Sequence, residues 1–267
     1  MNKESRLQEA YLSRLEKQRR KIMAARILLA LAFFLLWETA ADRGWIDSFF
    51  FSSPSRLGRL FLSMWRDGSL FLHVGITLTE TLVSFALVVV IGLAVSLLLW
   101  LSDSVFQVLE PYLVILNSLP KSALAPLLIV WFGANSRTII VAGMSVAIFG
   151  TILNLYTGFT ETSREKIRLI YTLHGTKKDA LTKVVLPSTV PMIISIMKVN
   201  IGLCLVGVVI GEFIGARNGL GYLIIYGSQV FQLDLVILSI LILCLMAMLL
   251  YGGVTAAEKL YHRRQHA

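Results

Sequence analysis

The residues of this chain that could do chemistry are ionisable side chains set inside apolar runs. Lys121 is the sharpest case, because it falls near the middle of one run, beside Pro120 and one turn after Asn117. A charge at the centre of a membrane helix costs about 2.5 to 3.5 kcal/mol on insertion scales, so it persists where water, a ligand or a carboxylate receives it. Two readings follow. Either Lys121 lines a solute pathway with Asn117 and Glu80, or it is a buried partner of Glu80 or Glu110. Besides Pro120, Pro111 and Pro126 also interrupt this run, and a break in it frees backbone groups that only a protein interior or a wet cavity satisfies. Lys198 lies near a run's end, where it can snorkel, and Glu212 lies at the other end of that run; both read as structural.

Catalysis has little footing. No Gly-x-x-x-x-Gly-Lys-Ser/Thr loop occurs, and "GLGYLI" (Gly219 to Ile224) lacks the third glycine and the strand-helix context of a dinucleotide site. His73, His174, His262 and His266 lack ligand spacing and read as solvated or interfacial. Cys204 and Cys244 stand alone in apolar runs, so neither a disulfide nor a metal site is expected. A nucleophile would need a base within reach, and no histidine lies well inside the runs. The expected catalytic, metal and cofactor sets are empty.

The elements that must position Lys121 and Glu80 are set by composition. The chain has 267 residues, of which 56% are hydrophobic and 15% charged, and its mean hydropathy is +0.74. This is an integral membrane protein. Its formal charge of +9 is spread between apolar runs rather than along one soluble face, which argues for a membrane orientation signal and against nucleic acid. A spanning helix needs about 20 apolar residues. Six candidate spans follow, at approximately 22–41, 74–101, 108–132, 137–157, 190–214 and 234–256. The first is read as retained rather than as a signal peptide, since a long basic stretch precedes it and Glu38 interrupts its end. The organisation is a basic tail at 1–21, a six-span unit at 22–256 and a second tail at 257–267. Lys and Arg flanking the spans place both termini and the 160–190 connection in the cytoplasm. A secondary transporter or channel with a Lys121/Glu80 ion relay is the alternative, although no internal repeat of the kind such carriers carry is found.

Three features lie outside the runs or on their faces. After "SSP", Ser53 can cap and Pro54 can open a helix whose Leu57, Leu60, Phe61, Met64 and Trp65 form one face, as in a helix lying on a membrane surface. Leu7, Tyr11 and Leu15 make a weaker stripe in the N-terminal tail. Gly207, Gly211 and Gly215 recur every four residues, a face that lets helices approach, most simply within the chain.

The connection between the fourth and fifth spans carries an amphipathic pattern. Ile170, Leu173, Leu181, Val184 and Val185 are spaced as helix stripes, Gly175 divides two short helices, Pro187 ends the second and Pro191 opens the next span. Such a helix either rests on anionic lipid or docks in a groove of a cytoplasmic partner.

"LHGTKKDALTKVVLP" resembles the cytoplasmic signature of ABC importer permeases, whose usual form is Glu-Ala-Ala, three residues, Gly, nine residues, Ile, one residue, Leu-Pro. Aligned without gaps from Leu186 and Pro187, Val184 takes the Ile position, His174 the Gly position and Arg168 to Ile170 the Glu-Ala-Ala positions. "FFFSSPSRL", "TLTETLVSF", "LPKSALAPLLIVWFG" and "GEFIGARNGLGYLI" extend the resemblance over approximately 30–256 and look like the nitrate, sulfonate and taurine group. Pro120-Lys121 and Glu80 are more similar to the branch linked to thiamine-pyrimidine precursors and riboflavin-like heterocycles. The resemblance implies an all-helical, six-span type I importer permease in a bacterial inner membrane. Its implied partners are a second permease copy in a homodimer, a cytoplasmic ATPase dimer that holds ATP and Mg, an extracytoplasmic substrate-binding protein and lipid. It also implies that His174, Gly175, Lys177, Lys178, Leu181, Val184, Leu186 and Pro187 form the coupling helix in an ATPase groove.

Overall fold

The computed structural model describes the backbone of residues 3–265 and the side chains of residues 17–259. The tail residues Leu7, Tyr11 and Leu15, together with His262 and His266, lie outside the described side chains. Two compact units divide the chain, Met1–Ser63 and Met64–Ala267.

The first unit is built on α1 (Lys3–Asp42), which joins the basic tail and the first span in one continuous helix. A single turn, α2 (Ser48–Phe51), leads into α3 (Pro54–Arg66). Glu38 earns its place in the apolar run here. Its Oε2 accepts the Ser55 N–H at 2.9 Å, so a carboxylate sits on the N-terminus of α3. Ser53 Oγ also accepts the Arg56 N–H there, at 3.4 Å, as its capping position demands. Leu57 and Met64 are buried on the expected face, while Trp65 is half exposed.

The second unit takes in the last turn of α3, from Met64, and continues into α4 (Ser69–Leu101). Asp67 Oδ1 accepts from both the hydroxyl and the N–H of Ser69, and these hydrogen bonds hold its carboxyl below the usual carboxylate range. Next come α5 (Asp103–Ser118), α6 (Lys121–Phe132), α7 (Ser136–Thr160), α8 (Arg164–Thr172) and α9 (Lys177–Ala180). A π-turn at Leu181–Val185 then runs into α10 (Leu186–Gly215), followed by α11 (Leu220–Gln229) and α12 (Leu233–Gln265). No strand occurs among the described residues. Among the described residues, five helical stretches are long and apolar enough to cross a membrane, and α5 with α6 supplies a sixth crossing when counted as one broken span.

Helices α4, α7 and α10 form the centre of the bundle, with α11 and α12 against α10. Close approach depends on small residues. A Cβ added at Gly207 would meet the Gly143 Cα at 2.8 Å, so α7 and α10 touch backbone to backbone. Gly211 faces Ala142 and Ile139, and Gly215 faces Ile129, so all three glycines of the repeat serve contacts within the chain. Hydroxyls fix the register of α4 on α7: Ser84 Oγ reaches the Ile140 carbonyl at 3.0 Å, and Ser96 Oγ reaches the Ile152 carbonyl at 3.2 Å.

Prolines act differently from their sequence expectation. The 108–132 run is broken at Leu119–Pro120, where α5 and α6 diverge by 95°, whereas Pro111 and Pro126 lie inside helices. Leu119 precedes a proline and is extended, at φ −61° and ψ 140°, which stops α5. Pro187 does not end a helix and Pro191 does not start one; the helix runs from Lys177 to Gly215 through the π-turn. The Leu186 N–H bonds to the Leu181 carbonyl, and this wider turn admits the Pro187 ring without the collision it would make in an α-helix.

Candidate functional site

The connection between α7 and α10 is built from local rules. Ser163 Oγ accepts the Lys166 N–H to start α8. Its other end closes with two bonds, His174 N–H to the Tyr171 carbonyl at 3.0 Å and Gly175 N–H to the Ile170 carbonyl at 2.9 Å, the pattern of a Schellman motif. The left-handed residue is His174, at φ 59°. This is the position that the ungapped alignment matches to glycine. Gly175 is needed for a different reason, since a Cβ there would lie 2.9 Å from the Ile170 carbonyl oxygen. Thr176 and Asp179 then cap α9 reciprocally, and Lys183 pairs with Asp179 at 2.8 Å.

Packing sorts the expected coupling residues into two sets. Leu181 is 7% exposed and belongs to a core cluster with Trp100, Leu155, Phe159, Ala180, Val185 and Met197. It therefore holds the connection to the bundle and is not available to a partner. Val184 and Leu186 are half-buried, and Leu186 packs against the same cluster. Lys177 Nζ lies 5.4 Å from the Trp100 ring centroid, a cation–π contact inside the chain. His174, Lys178 and Pro187 are exposed. The apolar residues that face outward are Leu169 and Leu173, 58% and 69% exposed, with Tyr171 beside them. Leu173 belonged to the sequence stripe. Leu169 was legible only as a member of the Glu-Ala-Ala alignment.

The pathway candidates also separate. Lys121 Nζ donates to the carbonyls of Leu116 and Asn117, and lies 5.4 Å from the Phe149 ring centroid. It caps the carbonyls that the break frees at the end of α5, and among the described residues it pairs with neither Glu80 nor Glu110. Asn117 lines a cavity of about 200 Å³ between α5, α7 and α10, with Thr151, Asn154, Ser195 and Asn200. Asn200 Nδ2 donates to Thr151 Oγ1 at 2.8 Å. Asn154 and Asn200 escaped notice in the sequence, although uncharged amides inside apolar runs are themselves a polar signal.

Glu80 lies in another place, near Glu212 and not near this cavity. Glu212 is fully buried and accepts from Thr77 Oγ1 at 2.7 Å and from the Gly221 N–H at 2.6 Å. Its carboxylate thus sits on the N-terminus of α11. His73 is not solvated: it is buried, and its Nδ1 accepts the Gly219 N–H at 3.0 Å. The expected Lys121/Glu80 relay is not assembled, because the two residues serve different parts of the bundle.

Comparison with known proteins adds the following. Residues 88–265 match the family described as "Binding-protein-dependent transport system inner membrane component". The chain is 30% identical over 237 residues to a probable ABC transporter permease protein of Haemophilus influenzae, covering 89% of this chain and 95% of that one. It is 28% identical over 233 residues to the formylaminopyrimidine transport permease protein ThiX of Halalkalibacterium halodurans, covering 87% and 92%. Among solved structures, an inward-facing form of the MetNI methionine ABC transporter matches with a TM-score of 0.60 at 20% identity, covering 69% of this chain and 92% of that one.

Proposed function

Since the chain belongs to the family of inner-membrane components of binding-protein-dependent transport systems, we propose that its amide-lined cavity is the solute pathway and that the exposed face of α8 couples it to a separate ATPase. The chain is the permease component of an ABC importer and not an enzyme. The observation that carries the coupling role is the contrast within one connection: Ala180, Leu181 and Val185 are locked into the bundle, while Leu169 and Leu173 stand out from it. A rigidly rooted helix with an uncovered apolar face suits docking in a groove and transmits force to α10. A substrate-binding protein on the opposite side and a second permease copy complete the proposed assembly. In support of the latter, α5 has no buried residue and exposes Val108, Tyr112 and Ile115.

The substrate is a small polar solute. The cavity offers amides and hydroxyls and no lining charge, which favours recognition by hydrogen bonds over recognition of a point charge. A heterocycle of the vitamin-precursor kind fits this lining better than nitrate or a sulfonate, and the similarity to a formylaminopyrimidine permease agrees. Asn154→Leu removes one hydrogen-bonding group, so KM for uptake should rise roughly two- to tenfold, the equivalent of about 0.5–1.5 kcal/mol. Lys121→Met should instead lower the yield of folded permease and leave KM unchanged. Unaltered KM in Asn154→Leu would remove the cavity from the pathway.

Orientation follows from the cationic flanks. Reporters fused after residue 160 or at the C-terminus should signal cytoplasm, and one near Gly68 should signal the exterior. A cytoplasmic signal at Gly68 would overturn the arrangement of spans.

A further inference from the structure

Glu80 is 3% exposed, and neither of its carboxyl oxygens has a hydrogen-bond partner among the described residues. Next to it is the carboxyl group of Glu212, close enough to interact directly. Two bare carboxylates at this range in a buried site repel each other, and each has lost its water. The donors around them are unevenly shared. Glu212 accepts on both oxygens, from Thr77 and from Gly221, whereas Glu80 makes no hydrogen bond of ordinary geometry and has the Ser136 hydroxyl as its one nearby donor side chain among the described residues. A protonated Glu80 is the missing donor: its O–H can point at Glu212 and satisfy both residues.

We propose that Glu80 and Glu212 form a proton-binding site at this end of α4 and α10, holding one proton between them, with Glu80 as donor and Glu212 as charged acceptor. The other titratable and charged groups facing the pair are few. His73 on α4 is committed to the Gly219 N–H and stacks on Tyr222 of α11. Arg217, in the loop between α10 and α11, lines with Glu80 a cavity of about 180 Å³ that Asn135, Ser136 and Asn218 also line. That cavity gives the proton a route to water. Loss of the proton leaves two facing charges, and their repulsion acts between α4 and the α10–α11 corner.

The two carboxyl groups are therefore not equivalent, and amide substitution separates their roles. Gln at position 80 keeps a donor toward Glu212. Gln at position 212 turns an NH2 toward donors that already need an acceptor. Melting of the purified full-length permease, bound to its ATPase, is followed from mildly acidic to alkaline pH for wild type, Glu80→Gln, Glu212→Gln and Arg217→Gln. The proposal expects the wild-type melting temperature to fall as pH rises and the Glu80→Gln profile to be flat. It expects Glu212→Gln to melt lower at every pH. An infrared carboxylic-acid band present in wild type and absent from Glu80→Gln gives a second readout, independent of stability. Equal destabilisation by both Gln substitutions would overturn the proposal, as would a wild-type profile that depends on sodium and not on pH. If Arg217→Gln destabilises wild type but not Glu80→Gln, Glu80 is ionised and paired with the guanidinium, and the proton site is wrong.

Discussion

Leu169→Asp combined with Leu173→Asp leaves the permease inserted and folded but strips it of its ATPase, whereas Leu181→Asp alone yields little folded protein. The first pair is 58% and 69% exposed, so a charge there costs the isolated chain almost nothing. In a partner's groove each leucine contributes about 1.5–3 kcal/mol, and losing two weakens the complex by about a hundredfold to ten-thousandfold. Copurification with the ATPase and substrate-stimulated ATP hydrolysis measure the loss. Leu181 is different because it is packed among Trp100, Leu155 and Phe159. A carboxylate there is buried without a partner, one of the few single changes large enough to unfold a domain. If the double variant retains its ATPase and transports normally, the exposed face of α8 is not the docking surface.

Gly219→Ala should be among the most damaging conservative substitutions in the chain. Its φ of 113° is a conformation that L side chains rarely adopt, at a cost of about 1–3 kcal/mol. The added Cβ would also fall 2.3 Å from Glu212 Oε1. Either the carboxylate moves off Thr77 and Gly221 or the N-terminus of α11 moves off the carboxylate, and each hydrogen bond to that charge is worth about 1.5–3 kcal/mol. The expected total is about 3 kcal/mol or more, read as a lowered melting temperature and loss of uptake. Gly202→Ala is the control, since no atom lies within 4 Å of a Cβ there. Equal melting of the two variants would show that the seat of Glu212 is not tight.

The spans were legible because length and apolar composition are properties of the chain alone. So was the start of α3, where Ser53 and Pro54 act locally. The break in the third span was legible in kind but not in place, because proline geometry constrains a helix without deciding which of three prolines yields. Leu181 and Leu173 carry the same side chain in the apolar pattern of two neighbouring short helices, and only the cluster around Trp100 tells the anchor from the outward face. His73, Thr77 and Glu212 are drawn together from up to 146 positions apart with the α11 corner, so no local spacing announces them. Lys121 was legible as a charge needing a receiver, yet the receivers are backbone carbonyls that exist only because Pro120 breaks the run.

The π-turn between Leu181 and Val185 also bears on which length variants of this segment the fold tolerates. It accommodates one residue more per turn than the helices on either side. Deleting Thr182 would let the ladder close as ordinary α-helix with the turns on either side nearly in phase, because a π-turn is the form in which a helix absorbs one extra residue. Leu169 and Leu173 would keep nearly the same bearing, and the cost would fall on the Pro187 ring, which would meet the Lys183 carbonyl. A second deletion, or an insertion, between Lys177 and Pro187 has no such turn to absorb it and would swing Leu169 and Leu173 by about 100° around the axis of α10, so further length changes are confined to the corners at 161–163 and 173–176.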